Sequence, residues 1–307
     1  MERSPHTAVK DAIKIAIDHH GRRNELVREY VFDLVARYAT SISVDTESGR
    51  YFVSTRDKEI GRGLFARGAY DDLAILRRVV DHLRERTAGA FTLGGKTFVD
   101  VGANIGTTTI AALTLFDAAR VYAFEPAPEN YRLLRQNILA NAVEDRAVAV
   151  QVAVSDQSGA VELELSNWNW GDHRVRAAAG FPASESHATV VSVPAATLDD
   201  LVEQQHIDLD GVALIWIDVQ GHEPSVLAGA RTTIGSGIPI VAEYWPHGLG
   251  ESGVESLEEL VRRDFGSWAD VKRLDELGRM VERPPAEIGE LRTAYAGLAF
   301  TDLLLLP

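Results

Sequence analysis

Residues 98–126 read FVDVGANIGTTTIAALTLFDAARVYAFEP, and this stretch decides the fold. A short apolar strand (97–101) runs into a glycine-containing turn, an apolar-striped helix and a second strand (121–124) that ends in a carboxylate, Glu125. A β-turn-α-β unit with an acidic residue at the end of its second strand is how an α/β protein holds a nucleoside. Gly102 permits the tight turn, and Gly106 lets a ligand approach the backbone. Glu125 can accept both ribose hydroxyls.

A dinucleotide fingerprint would read G-x-G-x-x-G. Here the glycines are Gly102 and Gly106, with Asn104 between them and Thr107 where the third glycine would fall. Asn tolerates left-handed backbone angles, so the turn survives. Asp100, before the turn, suits the ammonium of an amino-acid moiety better than a diphosphate. Asp100, Gly102, Gly106 and Glu125 together fit S-adenosylmethionine rather than NAD.

Further blocks follow in order: VAVSDQSGAVEL (152–163), TLDDL (197–201) and IDVQGHEPSVLAGA (217–230). With DVGANIG and AFEP, this series closely resembles the FkbM-type family of S-adenosylmethionine-dependent methyltransferases over residues 60–244. The resemblance implies a class I methyltransferase fold, doubly wound and mostly parallel, with a last strand that enters antiparallel. It also implies methyl transfer to hydroxyl oxygens of small molecules, often sugars or natural products, with S-adenosyl-L-methionine as cofactor. At Gln220 the family more often shows Glu, and an amide acts there only by hydrogen bonding.

The 307 residues carry 46% hydrophobic content, enough for a full core, and a net charge of −14 with a pI near 5.1. That field repels phosphate backbones and anionic membranes, so neither nucleic acid nor membrane is an expected partner. Cysteine is absent, which excludes disulfides and thiolate chemistry. The amino terminus lacks an apolar signal-peptide core, and no apolar run approaches the ~20 residues of a membrane span, so a cytoplasmic location is expected.

Residues 7–39 read as helices broken near Gly21. Leu26, Val27, Tyr30, Val31, Leu34, Val35 and Tyr38 form an apolar stripe at helical spacing. Burial of this stripe against the chain's own core is the favoured reading, with a homodimer contact as the alternative. A hairpin follows around Glu47-Ser48-Gly49, then a helix over 71–86. Residues 1–92 are therefore expected to form an accessory cap on a transferase domain over 93–307. Seven strands are expected, near 97–101, 121–125, 148–154, 212–218, 238–243, 269–274 and 299–306, with a short extra one at 191–195. The intervening stretch 166–190 lacks period and is read as a substrate lid.

Ligands of open α/β sheets bind beyond the carboxyl ends of the strands. The first two strands offer Asp100, Gly102, Asn104, Gly106 and Glu125 to the cofactor. The family resemblance puts the adenine near the third strand, with Ser155 and Asp156. The fourth ends in Asp218, followed by Gln220, His222 and Glu223. Asp218 is expected to orient the acceptor hydroxyl and His222 to take its proton. Glu223 is explained by the helix start beside it. The fifth strand brings Glu243, as a further catalytic candidate, and Trp245. Trp168, Trp170 and His173 in the long loop complete the expected substrate contacts. No cluster of hard oxygen ligands is visible, so no metal is expected. The rivals are N- or C-methylation, or a nucleoside-binding regulatory module without catalysis.

Overall fold

The computed structural model describes residues 25–176 and 189–307. The helix Glu25–Val35 is followed by a hairpin, β1 (Ser41–Asp45) and β2 (Arg50–Ser54), paired antiparallel. The central sheet contains β3 (Thr97–Val101), β4 (Arg120–Phe124) and β5 (Ala147–Val150). A smaller sheet is built from β6 (Ala153–Ser155), β7 (Gly159–Leu165), β8 (Arg174–Val175) and β9 (Thr189–Thr197). The chain then returns to the central sheet with β10 (Val212–Ile217), β11 (Ile240–Tyr244), β12 (Ser267–Leu274), β13 (Met280–Arg283) and β14 (Thr301–Leu306).

The central order is β13-β12-β14-β11-β10-β3-β4-β5. The run β5-β4-β3-β10-β11 is parallel, and its order reverses between β3 and β10. A doubly wound sheet opens its ligand crevice at such a reversal. The last strand, β14, enters antiparallel between β11 and β12, as the family resemblance implies. The sheet has eight strands rather than seven, because a turn tied by the Asp275 carboxylate to the amides of Leu277 and Arg279 folds β13 back along β12. The single strand expected at 148–154 is two. After Val150 the chain leaves the central sheet, and β6 pairs with β9, which extends well beyond the expected 191–195.

Alternation along the strands buries both faces. One face carries Val99, Val101, Ile215, Ile217, Ile240 and Ala242. The other carries Phe98, Trp216, Val241 and Leu304 and is covered by the helix Asp71–Arg86 through Leu73, Leu76, Val79, Val80 and Leu83. The hairpin and the helix Ile60–Arg67 pack through Val53, Tyr51, Ile60 and Leu64 onto Ile105 and Ile110, which follow β3, and Leu133 on the helix Pro128–Ala140.

The stripe on the helix Glu25–Val35 departs from the burial expected of it. Phe32 is the buried residue, while Leu26, Val27, Tyr30, Leu34 and Tyr38 are exposed, Tyr38 at 86%. The helix turns Phe32 against Phe65, and that rotation leaves the stripe outward. Residues 1–24 and 177–188, which include part of the expected amino-terminal helices and of the lid, lie outside the described residues. No helix among the described residues is long and apolar enough to cross a membrane.

Candidate active site

Register brings the strand ends together. Val101 pairs with Ile217, so the next residues, Gly102 and Asp218, are neighbours. The approach is close enough that a Cβ on Gly102 would lie 1.8 Å from the Asp218 carbonyl oxygen, and Gly102 has φ +87°. Only glycine fits there.

Two cavities adjoin at this junction. The smaller one lies over β3 and β4 and is lined by Gly102, Asn104, Glu125, Asn130, Trp170 and His222, among others. The larger, of about 880 Å³, runs between β10, β11, β14 and the helix Asp71–Arg86. Gly102, Asn104, Gly171, Asp218 and Gln220 line both.

Glu125 forms the polar end of the smaller cavity. Its two carboxylate oxygens accept the amides of Asn104 and Ala127, each at 2.8 Å. Each oxygen keeps a second lone pair for a ligand hydroxyl. Burial pushes the Glu125 carboxyl up to about 7, against those two amide bonds. Asn104, at φ +51°, takes the left-handed angle expected of it. The side-chain oxygens of Asn104 and Asn130, which line this cavity, are buried without partners. These orphaned acceptors fit a ligand rich in N–H and O–H groups, as the ribose and ammonium of S-adenosylmethionine would be.

The free space in the smaller cavity is only about 40 Å³, far below the several hundred Å³ of a typical ligand site. Trp170 lines that space. Its carbonyl accepts the side-chain amides of Asn130 (2.8 Å) and Asn104 (3.3 Å), and its amide donates to Asp57 Oδ1 (3.2 Å). Residues 168–171, between β7 and β8, thus form a strap that runs from Asp57 to Asn130 along the smaller cavity.

Several expected site residues stand elsewhere. Asp100 is fully buried, lines neither cavity, and accepts Thr108 Oγ1 (2.8 Å) and Thr109 Oγ1 (2.5 Å), so one of its oxygens anchors the helix Thr107–Thr114. Burial pushes its carboxyl up to about 6. Gly106 lines neither cavity and begins that helix at φ +93°. Ser155 and Asp156 also lie off both linings, bonded to each other. His222 is the largest displacement. Its Nε2 lies 2.9 Å from Ser155 Oγ, and it lines the smaller cavity but not the larger. Burial lowers its pKa. Trp170 and His173 likewise line the smaller cavity, whereas Trp168 and Trp245 line the larger.

The larger cavity has an acidic wall. Asp218, Glu243, Asp302 and Asp72 all line it. Burial raises each of the four, Asp302 up to about 7. For Glu243 the neighbouring Asp218, Glu223, Asp302 and Asp72 add to that rise. The lining is also aromatic and cationic: the Arg174 guanidinium sits 4.5 Å over the Trp245 ring, and Lys272 Nζ sits 3.8 Å over Phe300. Sequence reasoning missed Asp72, Asn130 and Asp302. A charged residue interrupting the apolar strand TDLLLL was the available signal for Asp302.

Carboxylate oxygens of Asp218, Glu223 and Glu243 come within 4.8 Å of one another, a spacing that could hold a cation. Two features weigh against it. Glu223 already accepts the amides of Val219 and Gly221, and the Gln220 amide stands between the other two.

The family model for the methyltransferase FkbM domain matches residues 100–267. The 2-O-methyltransferase NoeI of Sinorhizobium fredii is 28% identical over 155 residues, 48% of this chain and 62% of that protein. Methyltransferase sdnD of Sordaria araneosa is 28% identical over 198 residues, 56% of this chain and 76% of its own. Hexuronic acid methyltransferase AglP of Haloferax volcanii is 30% identical over 138 residues, 45% of this chain and 51% of its own. The match thus spans under two thirds of NoeI and about half of AglP.

Proposed function

The chain belongs to the FkbM methyltransferase family, and on that footing we propose that it is an S-adenosylmethionine-dependent O-methyltransferase of a small hydroxylated molecule. The observation that carries this reading is the pair of adjoining cavities, one ending in Glu125 and the other walled by Asp218 and Glu243. The names of two relatives support an oxygen acceptor on a sugar-like molecule: NoeI is a 2-O-methyltransferase, and AglP acts on hexuronic acid.

Bound in the smaller cavity, the donor supplies an electrophilic methyl on a sulfonium. Glu125 holds the ribose hydroxyls, and displacement of the Trp170 strap admits the nucleoside. In the larger cavity Asp218 and Glu243 orient the acceptor hydroxyl at the shared mouth. Its O–H bond breaks as the new O–CH3 bond forms, the C–S electron pair stays on sulfur, and a carboxylate takes the proton. Glu243 suits that task by its place at the mouth beside Asp218, to which the Gln220 amide bridges it. Alignment of oxygen, carbon and sulfur in a closed cleft supplies much of the remaining acceleration.

The test is methyl transfer from labelled donor into a metabolite extract, read as a species heavier by one methylene. Donor binding by calorimetry without any labelled product would favour a nucleoside-binding regulatory module instead.

A further inference from the structure

Gln220 occupies a constrained place at the mouth between the two cavities. Its backbone sits at φ +55°, left-handed and rare for a residue with a side chain. The turn that holds it there is fixed on both sides. Gly102 presses on the Asp218 carbonyl, and a Cβ on Gly221 would lie 2.5 Å from the Gly248 carbonyl oxygen. The Glu223 carboxylate accepts the amides of Val219 (3.0 Å) and Gly221 (3.0 Å) from within the same turn. Strained backbone of this kind persists only where its surroundings enforce it, and it gathers at functional sites.

The side chain so presented reaches two carboxylates. Gln220 Nε2 donates to Asp218 Oδ1 at 2.6 Å and to Glu243 Oε2 at 3.2 Å. As carboxylates both partners accept, so the amide turns its nitrogen to them, and its two N–H groups match the two contacts.

We propose that Gln220 is a positioning residue that clamps Asp218 and Glu243 side by side as anions, from which arrangement a carboxylate oxygen takes the acceptor's proton. This rests on the methyltransferase reading above. An uncompensated pair of neighbouring carboxylates would share a proton and lose its strength as a base at neutral pH. The clamp supplies hydrogen bonds to the charged forms without adding a charge. Glu243 also faces Glu223, Asp302 and Asp72. Asp218 faces Asp100 and Asp72, and Lys272 stands beside Asp302. In these surroundings a third carboxylate at position 220 would deepen the repulsion that the amide relieves.

The experiment is a carboxyl carbon-13 titration of the whole chain labelled in aspartate and glutamate, with D218N and E243Q to assign the two signals. Gln220→Met removes both donors, and Gln220→Glu, of the same size, keeps the reach and adds a charge. Expected is a rise in the midpoints of both carboxyls by at least ~1 pH unit in Gln220→Met, about tenfold in proton affinity, and a larger rise in Gln220→Glu. The acid limb of the methyl-transfer rate should move up with them, its high-pH plateau retained. Midpoints unchanged in either folded variant overturn the clamp. Full activity in both D218N and E243Q would instead remove the carboxylate base, while the titration still reports on Gln220.

Discussion

Glu243 and Asp302 are directly opposite each other in the antiparallel pair of β11 and β14. Both are 7% exposed, so two acidic side chains share one face at the edge of the larger cavity. Like charges so placed destabilise a sheet. Asp302 has its carboxyl raised by burial and by Asp218 to about 7, from 3.8. The folded state therefore holds this proton more tightly than the unfolded chain does. The stability it contributes is complete below about pH 4 and is lost as pH rises through 7. Asp302→Asn should gain on the wild type over that window, by up to about 1.4 kcal/mol per pH unit. Denaturant melts at pH 4, 5.5 and 7 measure this, and a constant difference between the two proteins would contradict it.

Glu243→Gln should lower kcat by roughly 10²–10⁴ if its carboxylate removes the acceptor's proton. His222→Ala should instead weaken donor binding and leave kcat within about threefold, since the imidazole is bonded to Ser155 on the nucleoside side. This reverses the assignment that spacing in the sequence favours. Steady-state kinetics with the acceptor recovered from the extract decides between them. A large kcat loss in His222→Ala alone would restore the histidine.

Glu125→Ala should weaken S-adenosylmethionine binding by ~1.5–3 kcal/mol, the usual worth of hydrogen bonds to a charged group. Calorimetry on the folded variant checks it, and unchanged affinity would remove the ribose from this carboxylate.

Asn130→Ala removes the 2.8 Å bond that holds the Trp170 carbonyl across the nucleoside pocket. Freeing the strap of about 1 kcal/mol of the bonding that keeps it in place should speed donor association roughly fivefold. Stopped-flow mixing with donor gives the rate. An unchanged or slower association would show that the strap does not gate this pocket.

Gly102→Ala forces a methyl to within 1.8 Å of the Asp218 carbonyl oxygen at a left-handed backbone angle. The cost should be at least about 2 kcal/mol of stability, together with donor binding. Thermal melting with and without donor measures both.

Much of the frame was legible because its signals are local. The first strand, its turn and Glu125 lie within thirty residues, and hydrophobic runs mark the strands of the central sheet. The handover from β5 to β6 was not, since Val150, Val152 and Val154 continue one alternation while the chain changes sheets. The side of the mouth on which His222 stands is illegible for a related reason. Four residues beyond Asp218 suggested the same rim, but left-handed angles at Gln220 and Gly221 turn the chain back toward Ser155. Asp72 and Asp302 belong to no motif and meet at the cleft only through tertiary packing.

The outer edge of β2 shows how the hairpin is kept from recruiting other chains. Asn137 and Asn141, one turn apart on the helix Pro128–Ala140 and at its end, imitate a neighbouring strand. Asn137 accepts the Phe52 amide and donates to the Phe52 carbonyl, and Asn141 does the same for Arg50. Two side-chain amides thus complete a ladder that would otherwise stand open to strand addition from another molecule. Deamidation of either asparagine to an acid would take away its donor and add a charge, uncapping the edge. Asn137→Asp and Asn141→Asp should therefore lower solubility, read as concentration-dependent light scattering.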